Sequence, residues 1–419
     1  MRKILVLLSF ILVSCSSSSS YLYNQDSPDS DTSNDVNVLH NQWIYDKMIQ
    51  HYFWNYEIKD SLSLDFTLEP SAFFKNLLSS QDRFSWCELN KSYSGSISGL
   101  EFQKYLVHGS IVNRVLDVSS PYLIAQGLKR GDYFRINDSS IIEKIRLKDG
   151  KFYSERFIDC ANTRGTNLAY TVPLDSVYFL SEHRIGYFIY DQFVSSADVA
   201  QIVTRMKYLQ ISDLVIDLRY NPGGYVSTSC YLASMLAPKQ CLGKLYQLQR
   251  FNHIQTVSKQ VNGGAGIDSV FFEKGYTASQ RNLDLKRLVV LTTKNTASAS
   301  EALIIGLRPY MKVITIGTTS CGKDVGSYTI ADNRYKYQLQ PITFRYYNAL
   351  NDSTPVTGIV PDIQVQDDLS HQRGDTNEAL LHAAINYLLG IKTDVNTRST
   401  VANEEREYGK SSIQIKNNL

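Results

Sequence analysis

Residues 214–224, with the sequence LVIDLRYNPGG, decide the fold that this sequence predicts. Residues 214–218 are apolar except for Asp217, and a short apolar run of this kind is typical of a strand buried in a sheet. Residues 222–224 (Pro-Gly-Gly) follow, and these residue types make tight turns. The chain therefore runs through the middle of a sheet here and turns sharply where the strand ends.

Further strands of the same type recur along the second half of the chain. Apolar runs lie at residues 185–190, 288–291 and 313–316, and residues 197–209 have helical periodicity. Strands that alternate with helices predict an α/β core with parallel strands. We place this core at residues 181–392. Ligands of such sheets bind beyond the carboxyl ends of the strands, so the polar loops after these runs form the candidate site.

A smaller helical unit precedes the core. Residues 40–90 form a predicted N-terminal helical subdomain, in which Ile44, Met48 and Tyr52 fall on one helical face. Pro70 suits the first turn of a second short helix. This unit is too short for a stable core of its own, so we expect it to pack against a larger domain.

Residues 91–180 change to short strands and turns. A Gly/Ser loop enters an apolar strand at residues 94–102, and residues 119–121 (SSP) and 125–132 (AQGLKRGD) follow. In this order the features resemble a PDZ domain, a β-rich module that binds a C-terminal carboxylate and adds the peptide to its sheet edge. We therefore expect an inserted PDZ-like domain that binds the C-termini of polypeptides.

The first 15 residues have the organisation of an export signal. Arg2 and Lys3 precede an apolar run at residues 4–13, which is too short to span a bilayer as a helix. The sequence LVSC that ends at Cys15 resembles a bacterial lipobox, and lipidation of Cys15 would anchor the protein to the outer-membrane or periplasmic face of the cell envelope. A plain secretory signal with an incidental cysteine is the alternative. Residues 16–39 are predicted to be a flexible tether.

Composition argues against several classes of function. The 43 basic and 41 acidic residues leave a formal net charge of +2, which gives no charge excess for nucleic acid or acidic membranes. Neither the cysteines nor the scattered histidines match a metal-binding spacing. The sequence does not show whether Cys230 and Cys241 form a disulfide.

Residues 393–419 form a polar tail that is predicted to be disordered.

Two polar loops carry the residue types of nucleophilic catalysis. Ser298 lies in residues 295–301 (NTASASE), between an apolar strand and a helical run. Lys323 ends residues 317–323 (GTTSCGK), after another strand. A serine hydroxyl needs a base to take its proton, and a lysine can be that base when burial lowers its pKa.

The Pro-Gly-Gly turn supplies a third element of this chemistry. Gly223 and Gly224 would let backbone N–H groups come close to an oxyanion, because neither residue has a side chain. The N–H of Ala299, directly after the candidate serine, is the second possible donor. The three segments together therefore favour hydrolysis through an acyl intermediate.

Each segment also has a plainer interpretation. Residues 298–301 have the spacing of a capping box, Lys323 suits a solvent-exposed loop, and residues 222–224 suit an ordinary turn. Residues 317–323 also come close to a phosphate-binding P-loop. That motif requires Ser or Thr at the next position to hold magnesium, and Asp324 stands there.

Together the three segments resemble the C-terminal processing peptidases, also called tail-specific proteases. The family's Asp-Leu-Arg-x-Asn-Pro-Gly-Gly motif matches residues 217–224, its nucleophile segment matches residues 296–301, and its Gly-Lys segment matches residues 322–323. Lys323 follows Ser298 by 25 positions, which is the spacing from nucleophile to base in that family. The spacing favours Ser298 over the second serine of the segment.

The resemblance implies a ClpP/crotonase-like α/β protease core with an inserted PDZ domain and an N-terminal helical subdomain. It implies a serine endopeptidase that acts on polypeptides and needs no metal or organic cofactor. Ser298 would be the nucleophile and Lys323 the general base. The N–H groups of Gly223 or Gly224 and of Ala299 would hold the oxyanion.

The resemblance covers about residues 40–390, and the lipoprotein start together with residues 43–46 (WIYD) looks most like members from Bacteroidetes-type bacteria. One departure concerns Ser327, because many members have a glutamine there that orients the lysine. Two rival functions remain. One is a catalytically silent envelope lipoprotein that binds peptides in the PDZ-like groove, and the other is an enzyme of the same fold that acts on a non-peptide ester.

Overall fold

The computed structural model describes residues 32–89, 99–137, 141–160, 175–332, 337–391 and 405–407. The predicted signal with Cys15, most of the tether and tail, and residues 94–98 of the Gly/Ser loop lie outside the described residues. The helices are α1 (Thr32–His51), α2 (Pro70–Asn76), α3 (Pro121–Ala125), α4 (Ser196–Tyr208), α5 (Val226–Leu236), α6 (His253–Val261), α7 (Tyr276–Arg281), α8 (Ala299–Leu307) and α9 (Ala379–Leu388). The strands are β1 (Trp86–Leu89), β2 (Leu100–Val107), β3 (Ser110–Val118), β4 (Tyr133–Ile136), β5 (Ile141–Lys148), β6 (Lys151–Asp159), β7 (Asp175–Leu180), β8 (His183–Ile189), β9 (Asp213–Asp217), β10 (Leu245–Phe251), β11 (Ile267–Phe271), β12 (Arg287–Thr292), β13 (Lys312–Gly317), β14 (Val325–Ser327), β15 (Ile330–Asp332), β16 (Tyr337–Gln340), β17 (Ile342–Tyr347), β18 (Ile363–Gln364) and β19 (Glu405–Glu407).

The core is a six-stranded sheet with the order β18-β13-β12-β9-β8-β7. All neighbours are parallel except β7, which pairs antiparallel with β8 at one edge. The apolar runs predicted as strands are β8, β9, β12 and β13, and the helix predicted at residues 197–209 is α4. The prediction of an α/β core with parallel strands is therefore confirmed.

Apolar residues of β9 alternate between the two faces of this sheet. Leu214 and Ile216 pack with Met206 of α4, in a cluster that also includes residues of α5 and α8. Val215 packs on the other face in a cluster with Leu381 of α9. Helices thus cover both faces, which explains why apolar residues predominate in the central strands. Because the strands are parallel, the loops after β9, β12 and β13 meet at one edge of the sheet.

The hairpin of β7 and β8 shows that one domain boundary lies earlier in the chain than we predicted. We predicted that the insert ends at residue 180, but residues 175–180 belong to the core sheet, with Asp175 opposite Phe188. The insert therefore ends before residue 175. A short strand has the same sequence pattern in the sheet of the insert and in the sheet of the core. Only the strand with which it pairs shows to which sheet it belongs.

The N-terminal subdomain confirms the predicted helical face. Ile44, Met48 and Tyr52 are all fully buried, and α2 starts at Pro70 as predicted. The first helix begins at Thr32 rather than at residue 40, so it includes part of the predicted tether. The subdomain packs on the core as expected for a unit of this size.

Two small sheets join the subdomain to the core. A three-stranded sheet has the order β1-β16-β15, and a four-stranded sheet has the order β11-β10-β17-β14. The backbone N–H of Phe53 donates to the carbonyl of Ile342 at the start of β17, at 2.7 Å. Val325 of β14 and Leu339 of β16 lie in the same apolar cluster as Tyr52. The N-terminal subdomain therefore reaches the segment that follows Lys323.

The insert is a sheet with the order β19-β2-β3-β4-β5-β6, and α3 is the one helix among its described residues. Its edge strand β19 comes from the tail that we predicted to be disordered, and Glu405 pairs antiparallel with Val107 of β2. A sheet edge offers unpaired N–H and C=O groups, and the tail satisfies some of them here.

The cysteines of the described residues form no disulfide, so the open question about Cys230 and Cys241 is resolved against a bond. The five thiols belong to Cys87, Cys160, Cys230, Cys241 and Cys321. Within the described part of the chain, no helix combines the length and the apolar character that a membrane crossing requires.

Candidate active site

The turn after β9 is fastened to the segment that carries the candidate nucleophile. Asn221 donates from its side chain to the carbonyl of Tyr190 at 2.8 Å and accepts from the N–H of Gly223 at 2.8 Å. Its own carbonyl accepts from the N–H of Ala297 and from the hydroxyl of Ser300, both at 3.1 Å. Asn221 therefore fixes the turn and the nucleophile segment against each other.

The two glycines of the turn allow a close approach that no other residue permits. Gly223 and Gly224 have φ of +110° and +140°, a backbone region that favours glycine. A Cβ on Gly223 would lie 2.7 Å from Cβ of Ser298, and one on Gly224 would lie 2.3 Å from the carbonyl oxygen of Phe193. The turn is therefore packed directly against Ser298, which a free-standing turn would not be.

Ser298 lies between β12 and α8 in a strained conformation. Its φ of +56° and ψ of −116° differ from the extended backbone that an ordinary N-cap residue adopts. Strain of this kind costs about 1–3 kcal/mol and persists at functional sites, where the surrounding structure holds it. The capping interpretation holds in part, because Glu301 accepts from the N–H of Ser298 at 3.0 Å. Capping alone does not account for the positive φ.

Glu301 connects the two candidate catalytic segments. One carboxylate oxygen accepts from the N–H groups of Ser298 and Lys323 at 3.0 and 2.9 Å. The other accepts from the N–H of Gly322 at 2.7 Å and from the hydroxyl of Ser320 at 2.5 Å. Burial raises the pKa of the Glu301 carboxyl, and these four donors act in the opposite direction. The sequence identified this residue only as half of a capping box.

Lys323 is buried, so the interpretation as a solvent-exposed loop residue is wrong. Its exposed fraction is 1%, and burial lowers its pKa from 10.5 to about 8. The negative charges of Glu301 and Asp82 oppose this shift, because a nearby negative charge favours the ammonium form. The P-loop interpretation is also wrong, because strand β14 follows Lys323 where that motif requires a helix.

The N-terminal subdomain forms part of the wall around this lysine. Arg83 donates to the carbonyls of Gly322 and Val356 at 2.5 and 3.1 Å. The ring of Phe84 lies with its centroid 5.2 Å from Nζ of Lys323. An aromatic ring excludes water and attracts a cation weakly, so Phe84 contributes to the environment of the amine. Neither contact can be predicted from a local pattern in the sequence.

Ser327 stands at the position where we expected a residue that orients the lysine. It is the last residue of β14, and its hydroxyl accepts a hydrogen bond from Nε2 of Gln340 at 2.9 Å. Gln340 ends β16 and is buried. Ser327 thus has a partner from another strand, and the sequence did not single out that partner.

A network of buried charges lies beneath the turn. Arg219 is fully buried and donates to Asp217 at 2.9 Å, to Asp367 at 2.9 Å and to both carboxylate oxygens of Glu378 at 2.7 and 2.9 Å. Burial opposes ionisation of Asp217 and Asp367, but the neighbouring arginines outweigh it. They lower the pKa of both carboxyls, that of Asp367 to about 2.

Two further arginines attach the insert to the same network. Arg130 of the insert donates to the hydroxyl of Tyr220 and to Asp367, both at 2.7 Å. Arg373 of the core donates to Asp191 at 2.8 Å and to Asp117 of the insert. Tyr220 directly precedes the Asn-Pro-Gly-Gly turn, so the insert is bonded to the residue next to the candidate oxyanion site.

Comparison with known proteins identifies the family. Residues 184–365 match the family model of peptidase family S41, and residues 40–86 match that of the peptidase S41 N-terminal domain. The carboxyl-terminal-processing protease of Synechocystis is 28% identical over 141 residues, which are 33% of this chain and 28% of that protein. The carboxy-terminal-processing protease of Bartonella bacilliformis is 24% identical over 307 residues, 67% of this chain and 64% of that protein. The chain therefore covers less than two thirds of either relative.

A solved structure shares the fold. An S41-type protease from Bacteroides fragilis has a TM-score of 0.68 at 23% identity, over 89% of this chain and 100% of that chain. The likeness includes the mixed α/β sheets described above. The two family models match the N-terminal subdomain and the core, and they indicate the same kind of protein as these relatives. Over residues 40–86 and 184–365 the chain matches peptidase family S41.

Proposed function

We propose that this protein is a serine endopeptidase in which Ser298 is the nucleophile and Lys323 is the general base. The observation that carries the proposal is the Glu301 carboxylate, which holds the backbone N–H groups of both residues on one oxygen atom. The burial of Lys323 supports it further, because an exposed lysine would stay protonated and could not accept a proton at neutral pH.

The reaction begins when neutral Lys323 takes the proton of the Ser298 hydroxyl, and the serine oxygen attacks the peptide carbonyl. The tetrahedral intermediate collapses to an acyl-enzyme as Lys323 gives that proton to the leaving amine. Water then attacks the ester with Lys323 as the base, which releases the acid and restores the free serine.

The oxyanion is held by two backbone N–H groups. The N–H of Gly223 already donates to Asn221, so Gly224 is the better candidate on the turn. Among the residues that the structure describes, no acceptor takes the N–H of Gly224 or of Ala299. Both therefore stay available for a negatively charged oxygen beside Ser298.

Substrates are polypeptides that the PDZ-like insert selects by their C-termini. A peptide strand would add to the edge of β2, where residues 405–407 pair in this structure, so a substrate would have to replace that strand. The lipobox cysteine Cys15 would hold the enzyme at the bacterial cell envelope. Substrates would then be proteins of the same compartment.

Incubation with unfolded polypeptides that differ only in their C-terminal residues tests this function. We expect internal cleavage, with rates that depend on the C-terminus, and mass spectrometry of the products identifies the cut sites. Ser298→Ala serves as the blank. Polypeptides that are bound but not cleaved would instead support a catalytically silent peptide-binding protein. Hydrolysis of small esters without cleavage of polypeptides would support an enzyme that acts on a non-peptide ester.

The pH dependence of cleavage is expected to follow the titration of Lys323. The base must be neutral, so activity should be low below the Lys323 pKa of about 8 and level off above it. On a logarithmic scale kcat/KM should rise by about one unit per pH unit in the acidic limb, because one proton is lost. Initial rates between pH 6 and pH 10, roughly two units on each side of the midpoint, measure this.

Asp82→Asn is the matched variant for this profile. The negative charge of Asp82 raises the pKa of Lys323, so its removal should move the midpoint to lower pH. Asparagine can still accept from the N–H groups of Phe84 and Ser85, which Asp82 holds at 2.8 and 2.9 Å. A midpoint that is the same in both proteins would argue against Lys323 as the titrating base.

A further inference from the structure

Among the described residues, the amine of Lys323 lacks a hydrogen-bond acceptor and the side-chain oxygen of Gln340 lacks a donor. Among the residues that the structure describes, Oε1 of Gln340 is buried without a hydrogen-bond partner, although the residue is only 2% exposed. Within the same residues, no acceptor is bonded to Nζ of Lys323, which faces the ring of Phe84. A buried acceptor without a donor is costly, so its retention calls for an explanation.

Both groups lie against the same short segment. Phe84 carries the ring next to Nζ of Lys323, and two residues later Trp86 pairs with Gln340 across β1 and β16. Partners in an antiparallel pair project to the same face of a sheet. The segment also bonds to the strand beyond Gln340, since Ser85 accepts from the N–H of Ile342 at 2.8 Å.

The nitrogen of the Gln340 amide makes a hydrogen bond that orients this side chain. Nε2 donates to the hydroxyl of Ser327, and Ser327 lies on β14, the strand that starts two residues after Lys323. The Ser327 hydroxyl accepts from the nitrogen of Gln340, which leaves the oxygen of the same amide free to accept a hydrogen bond.

We propose that Gln340 is the positioning residue of the base, and that its Oε1 accepts from the amine of Lys323, directly or through one water, once substrate is bound. This inference rests on the proposed function and deepens it. The two groups are not hydrogen-bonded in this structure, and contacts of catalytic groups often tighten only when substrate binds. A neutral amide suits the task, because a carboxylate would stabilise the ammonium form and keep the lysine protonated at neutral pH.

An exchange of the two side chains tests the proposal. Gln340→Leu removes the amide but keeps the bulk, and we expect kcat to fall by about tenfold to a hundredfold, with KM nearly unchanged, as the amine loses its orientation. The double variant Ser327→Gln/Gln340→Ser carries the amide on the other strand and should recover most of the lost kcat. Gln247→Leu is the control, because Gln247 is an equally buried glutamine on β10, outside the candidate site and the insert.

The rate at which a fluorophosphonate probe labels Ser298 gives a second readout that needs no peptide substrate. The labelling rate should follow the same order as kcat across the variants. An unchanged rate in Gln340→Leu would overturn the proposal, and so would an exchange variant that folds with the wild-type unfolding temperature yet stays as slow as Gln340→Leu. The wild-type protein could also be labelled at Ser298 and yet cleave no polypeptide. That result would overturn the proposed endopeptidase function only, and the labelling rates of the variants would still test the role of Gln340.

Discussion

Replacing Ser298 with alanine is expected to reduce kcat for polypeptide cleavage by about 10⁶-fold, the scale seen when a serine protease loses its nucleophile. Lys323→Ala should have an effect of similar size, because the hydroxyl cannot attack until a base takes its proton. The double variant should be hardly slower than either single one, since the two residues act as one unit. Single-turnover rates with a mass-spectrometric assay measure all three.

Ser300→Ala is the matched control for the nucleophile. Ser300 is also a buried serine of the same segment, but its hydroxyl donates to the carbonyl of Asn221 at 3.1 Å. We expect this variant to keep most of the activity. Near-wild-type cleavage by Ser298→Ala, or a complete loss in Ser300→Ala with normal folding, would move the nucleophile from Ser298 to Ser300.

The parts of the site that the sequence predicted are those with a local pattern. The strand and Pro-Gly-Gly turn could be read directly, because apolar runs and turn residues act through their neighbours in the chain. The sequence pattern around Ser298 or Lys323 alone does not identify a catalytic residue, and their pairing depends on the family spacing. The structure adds a physical reason for the pairing, since both backbones bond to Glu301.

The missing parts depend on contacts between distant segments. Arg83 and Gly322 are separated by 239 residues, and no periodicity connects them. Gln340 looks like an ordinary strand residue, and only its bond to Ser327 and its unpaired oxygen single it out. The positive φ of Ser298 is likewise invisible in a sequence, because the surrounding fold imposes it.

Arg219 explains why one charged motif lies in the middle of a hydrophobic core. It follows the buried strand β9 and neutralises carboxylates from three parts of the chain, Asp217, Asp367 and Glu378. These bonds tie the start of the Asn-Pro-Gly-Gly turn to the segment between β18 and α9. A charge network in this place therefore supports the turn that carries Gly223 and Gly224.

Arg219→Ala is expected to lower the free energy of unfolding by about 3–5 kcal/mol at neutral pH, because it leaves carboxylates buried without their partner. The loss should shrink at acid pH. The pKa of Asp367 is lowered from 3.8 to about 2, so its contribution to stability is present above about pH 4 and disappears as the pH falls toward 2. Urea denaturation of both proteins at several pH values measures the difference.

Arg205→Ala provides the comparison for this effect. Arg205 also makes an ion pair, with Asp175 at 2.9 Å, but its side chain is 57% exposed. Water screens such a pair, so its loss should cost only about 0.2–1 kcal/mol. A similar cost for the two substitutions would mean that the carboxylates around Arg219 find other partners or become protonated. A much larger cost for Arg219→Ala would show that the core of the fold and the support of the catalytic turn depend on the same buried charge.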